Sequence, residues 1–217
     1  MQVVIVGAHG QIAMLLHPLL RARGHQVRGI IRNPDQADEV RRAGAEPIVC
    51  DVEASDDISD AVGSADAVVF AAGAGPGSGA PRKMTIDRDG AVKLIRAAQH
   101  NGIKRYLMVS AMDAEQPRGN EVFQVYLRAK AEADEALRQS GLDYTILRPG
   151  SLTDQPGAGR VRMAASLTRA DIPRADVASV LAHLLDMPET IGCQFDVTAG
   201  DQPIDAAIAS AVAADGR

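Results

Sequence analysis

Two stretches of this 217-residue chain place side chains where they could do chemistry. The first is Tyr126-Leu127-Arg128-Ala129-Lys130. Residues four apart on a helix share one face, a turn above one another. An ammonium beside a phenol lowers the phenol's pKa from about 10, so the tyrosine can exchange a proton near neutral pH. Reduction of a carbonyl needs such a proton at oxygen while hydride arrives at carbon. Ser110, at the end of the apolar run Tyr106–Ser110, could hydrogen-bond the same oxygen. A second use of Tyr126 stays open. It shares a helical stripe with Val122, Ala129 and Ala133, the pattern of a residue at the edge of a core.

The second stretch is Gly7-Ala8-His9-Gly10-Gln11-Ile12-Ala13, entered directly from the run Val3–Val6 and followed by helical spacing. In this G-x-x-G-x-x-A turn Gly7 turns the chain tightly as it leaves the strand. Gly10 lets backbone approach a phosphate, and Ala13 lets the helix pack close. The helix N-terminus offers free N–H groups and a partial positive charge to a pyrophosphate. Gly7, Ala8, His9, Gly10, Gln11 and Ile12 are the candidate cradle. His9 reads more simply as a polar residue flanking the turn than as a group in catalysis.

The tip of the second strand bears on which dinucleotide is bound. NAD-binding folds place an acid there, about 20 residues past the glycines, to hold the ribose 2′-OH. Here Gln26–Ile31 ends in Arg32-Asn33-Pro34. A guanidinium at that place can grip a 2′-phosphate, so the expected cofactor is NADP (NADPH). Arg32 is the main determinant, with Asn33 beside it and Arg28 a weaker candidate. Asp35 is expected to cap the following helix. Asp51-Val52 ends the third strand. Asp51 could accept from the adenine amino group or cap its own turn, and both readings stay open.

The elements that must hold these residues alternate along the chain. Short apolar runs at Val3–Val6, Gln26–Ile31, Pro47–Val49, Ala67–Ala71, Tyr106–Ser110, Tyr144–Leu147 and Gln194–Val197 read as strands. Helical spacing occupies Gln11–Arg23, Asp35–Ala43, Ser55–Val62, Thr85–Asn101, Val122–Ser140 and Arg174–Asp186. Alternation predicts an α/β fold, and runs apolar on both faces predict a parallel sheet covered by helices on both sides. One domain over 1–217 is expected. Gly73–Lys83 and Thr153–Arg162 read as mobile Gly/Pro-rich loops beyond strand ends, where ligand sites of such sheets lie.

Composition narrows the function classes. A net charge of -5 gives nucleic-acid binding no general electrostatic support. Cys50 and Cys193 sit in no metal or redox spacing and read as small buried residues. No metal site is expected. No basic segment precedes a long apolar one, and no run reaches the ~20 residues of a membrane helix. A cytoplasmic protein with no membrane contact is expected.

With these residues on the page, the chain resembles the atypical short-chain dehydrogenase/reductases, the small NAD(P)H-binding group related to NmrA-like proteins and to flavin/biliverdin reductases. The likeness rests on the glycine turn, Arg32-Asn33-Pro34, Asp51-Val52, Ile86-Asp87-Arg88-Asp89-Gly90 and Lys104–Ala111. It continues through Tyr126 with Lys130, Leu147-Arg148-Pro149-Gly150 and Arg174-Ala175-Asp176-Val177-Ala178. It implies a Rossmann-type fold with the cofactor across the strand tips. It also implies roles: Ser110 orients the substrate, Tyr126 is the acid/base, and Lys130 tunes the phenol and holds the nicotinamide ribose. Pro149 joins the implied cofactor contacts.

Two features depart from the family pattern. Phe70-Ala71-Ala72-Gly73 replaces the Asn-Asn-Ala-Gly after strand four, though Ala71, Ala72 and Gly73 still permit close packing against the cofactor. The asparagine of the central helix has no clear counterpart, and Asp87 is read as a helix cap. The resemblance implies an NADP-dependent oxidoreductase acting on a small carbonyl, quinone or flavin. A cofactor-sensing regulator without turnover is the second reading. A sugar-nucleotide epimerase or dehydratase is third, because only about seventy residues follow the sixth strand. Expected partners are a small-molecule substrate or redox partner, with the chain a monomer or homodimer. Arg148 could meet an anionic substrate, but reads more simply as a brace of its turn through a carboxylate such as Asp176.

Overall fold

The computed structural model describes residues 1–75 and 77–216. Its centre is a nine-stranded sheet. The strands are β1 (Gln2–Val6), β2 (Gln26–Ile31), β3 (Glu46–Val49), β4 (Ala67–Phe70), β5 (Arg105–Val109), β6 (Asp143–Pro149), β8 (Arg160–Ala164), β10 (Cys193–Ala199) and β11 (Gln202–Pro203). Their order is β11-β8-β10-β6-β5-β4-β1-β2-β3. Seven of them run parallel, with Val3 facing Val27 of β2 on one side and Ala67 of β4 on the other. β8 and β11 add an antiparallel edge.

Alternation along β1 builds two cores. Val3 and Ile5 pack with α1 (Gln11–Ala22), α2 (Ala37–Ala43), α7 (Arg174–Leu185) and α8 (Ile204–Asp215). Val4 and Val6 pack with α3 (Ser59–Val62), α5 (Ala91–His100) and α6 (Glu121–Arg138) on the opposite face. The result is the three-layer α/β Rossmann-type arrangement that the double-faced apolar runs predict. No helix among the described residues is long and apolar enough to cross a membrane.

The order reverses beside β1: the chain winds outward to β3 and returns to β4 on the other flank. The crevice beyond the carboxyl ends of β1 and β4 is where such sheets bind ligands. Gly7 forms its wall with φ +83°, and a Cβ there would stand 2.5 Å from the Ala72 Cα. Only glycine lets these two strand ends meet so closely.

Several elements differ from the sequence expectation. The expected loop Thr153–Arg162 is irregular only over 154–159, and its two ends belong to strands. Ser151–Thr153 (β7) pairs with Asp171–Pro173 (β9) in a small parallel sheet, and Arg160 already belongs to β8. Between them, Asp176 accepts from the Ala158 and Gly159 N–H groups at 3.0 and 2.8 Å. Those bonds satisfy the loop backbone that its composition leaves free. Gly73–Lys83 contains the short helix α4 (Ala80–Arg82), and its Pro76 lies outside the described residues. The expected helix Thr85–Asn101 is a π-helical stretch, Lys83–Gly90, running into α5. The expected helix Ser55–Val62 shrinks to one turn.

Candidate functional site

The first cavity of the crevice, of about 330 Å³, is walled by Gly7–Gly10, Arg32, Asn33, Asp51, Val52 and Ala71–Gly73. The turn has the geometry a phosphate cradle needs. The Gly10 N–H donates to the Gly7 carbonyl at 2.8 Å, and a Cβ on Gly10 would lie 3.0 Å from that oxygen. α1 starts with no side-chain cap and no acid in its first turn. Its leading N–H groups and positive dipole end are therefore left for an anion. The donors, the room above both glycines and the run of cavity along the strand tips fit a dinucleotide pyrophosphate.

The flanking residues fall into place around the cradle. His9 lies 2.8 Å from Glu39 Oε2 through its Nε2 and flanks the turn. Gln11 is exposed on the first turn of α1. Arg32 stands at the tip of β2, 54% exposed and 3.7 Å from Glu53. Arg28 is turned away, donating to the carbonyls of Val62 and Ser64, and is no cofactor ligand. Asn33, not Asp35, caps the turn after β2, its side chain accepting from the Asp35 N–H at 3.1 Å. Asp51 Oδ1 accepts from the Glu53 and Ala54 N–H groups at 2.9 and 3.3 Å, so it does hold its own turn. Cys50 is only half-buried and lines this cavity, whereas Cys193 is buried.

The second cavity, of about 400 Å³, continues past Ala71–Gly73 to Ile12, Ser110, Tyr126, Lys130 and Pro149. α6 sets Tyr126, Lys130 and Asp134 on one face at successive turns. Lys130 is buried, donating to the Val109 carbonyl at 3.0 Å and lying 3.3 Å from Asp87 Oδ1. Its Nζ is 5.9 Å from the centre of the Tyr126 ring. Burial pulls the ammonium's pKa down, but Asp87, with Tyr126 and Asp134 adding to it, pulls it up, and the net shift is upward. With one donor on the Val109 carbonyl and the charge facing Asp87, donor capacity remains for a ribose hydroxyl.

Asp87 corrects an expectation. It caps no helix. It sits inside the π-helical stretch, fully buried, accepting from the Ala74 N–H at 3.2 Å while facing Lys130. The wider turn is a device found mostly at functional sites.

The Tyr126 phenol is held above its ordinary pKa, not below it. Burial pushes it up, Lys130 pulls it partly back, and Asp87 pushes it up again. The lysine's charge is largely answered by Asp87, so little is left to stabilise a phenolate. Tyr126 enters any reaction near neutral pH as a protonated acid.

Ser110 is also committed. Its Oγ donates to Asp134 Oδ2 at 2.7 Å, so its proton does not point at a substrate oxygen. Arg148 donates to the same oxygen at 3.1 Å through Nε and 2.8 Å through NH2, and to Glu115 at 2.8 Å. The brace of Arg148 is therefore Asp134 with Glu115, while Asp176 is spent on the Ala158–Gly159 backbone. Burial raises the Asp134 pKa, partly offset by Arg148 and Ser110.

Sequence reasoning did not find Glu53, Arg82, Lys83, Asp134 or Arg169. Glu53 gathers Arg32, Arg82 at 3.3 Å and the Thr85 hydroxyl at 2.5 Å. Lys83 and Arg169 stand on the wall beside Tyr126. The i, i+4, i+8 spacing of Tyr126, Lys130 and Asp134 was the one signal available for any of them.

Known proteins share this framework along its length. The chain is 41% identical over 207 residues to YhfK of Bacillus subtilis, called an uncharacterized sugar epimerase, covering 94% of this chain and 97% of that one. It is 36% identical over 224 residues to the UPF0659 protein YMR090W of Saccharomyces cerevisiae, covering 97% and 98%. Among solved structures, a Bacillus halodurans protein provisionally named an NAD-dependent epimerase/dehydratase superposes with TM-score 0.92 at 42% identity, covering 97% and 99%. The oxidoreductase ylbE of Lactococcus lactis superposes with TM-score 0.86 at 27% identity, covering 97% and 96%. The family model described as NAD(P)H-binding matches residues 7–188. A glycine turn opening onto a crevice between β1 and β4, and that match, make this chain a member of the NAD(P)H-binding family, a Rossmann-type relative of reductases and epimerases.

Proposed function

We propose that this protein is an NADP(H)-dependent oxidoreductase acting on a small carbonyl, quinone or flavin, with Tyr126 as proton donor. One observation carries the reading. A protonated tyrosine and a buried, Asp87-held lysine share the cavity that continues the dinucleotide crevice. With a carbonyl as substrate, a reduced nicotinamide bound there would supply hydride to the carbonyl carbon. Tyr126 gives its phenolic proton to the oxygen on which the displaced electron pair collects, leaving an alcohol and a phenolate that regains a proton from solvent. Lys130, its charge largely answered by Asp87, has donor capacity left for the nicotinamide ribose. Ala71, Ala72 and Gly73 keep the floor low enough for both rings to lie across the strand tips.

The choice of NADP rests on Arg32. Glu53 is the acid nearest to it, and Glu53 already has Arg82 and Thr85. Arg32 is more than half exposed, so it is free to turn its fork onto a 2′-phosphate.

Two other readings have support. Ser110's commitment to Asp134 favours a cofactor sensor without turnover. The names of the Bacillus relatives favour an epimerase, in which hydride leaves and returns to one substrate with no net consumption of cofactor. NADPH oxidation across a panel of quinones, flavins and small carbonyls separates the three. Acceptor-dependent oxidation supports the reductase. Thermal stabilisation by NADPH with no oxidation of it overturns the reductase in favour of the other two.

A further inference from the structure

Beyond Tyr126 the crevice opens into a further cavity of about 520 Å³, and the two cavities share Lys83, Phe123 and Tyr126 in their walls. Phe123 and Tyr126 lie three apart on α6, and Asn120 fixes the start of that helix by accepting from the Phe123 N–H at 2.9 Å. Their rings stack with centroids 5.7 Å apart and 28° between planes. They place two aromatic rings on the cavity wall in an otherwise aliphatic protein, where aromatics are 3% of residues. Such a wall favours a flat unsaturated ligand over a saturated one.

Cations lie over parts of these rings. The Lys83 ammonium lies 5.4 Å from the Tyr126 ring centre, and the Arg169 guanidinium 5.7 Å from that of Phe123. Lys83 donates to the Gly75 carbonyl at 2.8 Å, and among the described residues no carboxylate pairs with it. Arg169 is aimed by Ser151 Oγ and the Met112 carbonyl, both at 3.3 Å, and by Asp113 at 3.6 Å. Asp113 holds its place with φ +65°, a conformation that persists for a non-glycine residue only where its surroundings enforce it. Among the described residues, Asp87 is the one carboxylate in the wall of the 400 Å³ cavity, and it faces Lys130.

We propose that this wall binds the reducible substrate, and that the substrate is a flat conjugated ring system bearing an anionic group, with Lys83 and Arg169 as the partners of the anion. The stack supplies area for the ring. The two cations supply charge-assisted hydrogen bonds to a carboxylate, sulfonate or phosphate at its edge. The inference deepens the reductase reading and rests on it for the reaction, while the binding preference stands on the geometry of the wall.

The test uses anthraquinone-2-sulfonate and its uncharged sulfonamide, which share a ring and differ in charge. Each is titrated by calorimetry into the full chain with and without NADP⁺, and each is offered as acceptor with NADPH. The sulfonate should bind roughly tenfold more tightly than the sulfonamide. The preference should shrink as ionic strength rises, and Lys83→Met should remove most of it. Arg169→Gln serves as the second variant, and its thermal midpoint shows whether the wall has stayed folded. Equal binding of the two probes, or a preference untouched by Lys83→Met and by a folded Arg169→Gln, overturns the proposal. Reduction of both probes with no charge preference overturns it and leaves the reductase reading standing. Charge-selective binding without reduction keeps the anion site and overturns the reductase reading alone.

Discussion

Replacing Asp87 by Asn probes the buried pair that sets up the tyrosine. Lys130 is 3% exposed and Asp87 0%, with 3.3 Å between them. Removing one partner of a buried ion pair costs about 3–5 kcal/mol, because the other charge is left without an answer in low dielectric. For a chain of this length, about 2–4 °C of midpoint is lost per kcal/mol, so the melting temperature should fall by roughly 6–20 °C. The pH dependence carries the sharper signature. In the wild type the Lys130 pKa is raised in the fold. Its contribution is fully present below the unfolded value near 10.4 and is lost as pH rises through the higher folded value. In Asp87→Asn the strongest raising partner is gone and burial, the largest influence on the ammonium, is opposed only by the weaker pulls of Tyr126 and Asp134, so its folded pKa is expected to drop below the unfolded one. The unfolded chain then binds more protons in the window between them, so stability must climb with pH up to about 10. Urea unfolding of both proteins at several pH values between 7 and 10 measures the slopes. Adding Lys130→Met should recover part of the loss, since no buried charge remains. A variant as stable as the wild type, with the same pH slope, refutes the account of this pair.

Three further outcomes follow from the site. Arg32→Ala should weaken NADPH binding about 10–30-fold, the worth of a partly exposed charge-assisted contact, and leave NADH within about threefold, read by fluorescence titration. Gly7→Ala should lose at least ~2 kcal/mol in denaturant unfolding and abolish stabilisation by NADPH, because its Cβ meets the Ala72 backbone from a left-handed conformation. With the Tyr126 phenol held above its ordinary value, kcat/KM for a carbonyl should stay level from pH 6 to about 9. It should fall only as the phenol loses its proton above about 10.

What the sequence made legible is local. The G-x-x-G-x-x-A turn, the arginine at a strand tip and the double-faced valine runs each declare themselves within a dozen residues. The fold follows because β1–α1–β2 units close only one way. What it hid is the pairing of residues distant in the chain. Asp87, in the π-helical stretch, and Lys130, on α6, are buried together though 43 residues apart in the chain. Ser110 meets Asp134, and Arg148 meets Glu115, across β5 and β6. No spacing rule contains those contacts, which is why the roles of Ser110, Asp87 and Arg148 had to be corrected. β7 and β9 are three-residue strands with no apolar alternation to mark them. α8, IDAAIASAVAAD, is small and apolar nearly all round and shows no amphipathic stripe.

The central claim is that Tyr126 protonates a substrate reduced by NADPH. The most direct measurement is acceptor-dependent NADPH oxidation by wild type and Tyr126→Phe over a panel of small carbonyls, with the NADPH dissociation constant measured for both. The account predicts turnover in the wild type, a loss of about 10²–10⁴-fold in Tyr126→Phe, and cofactor affinity unchanged within threefold. Equal rates in the two proteins, or no oxidation of NADPH by the wild type with any acceptor, would contradict it.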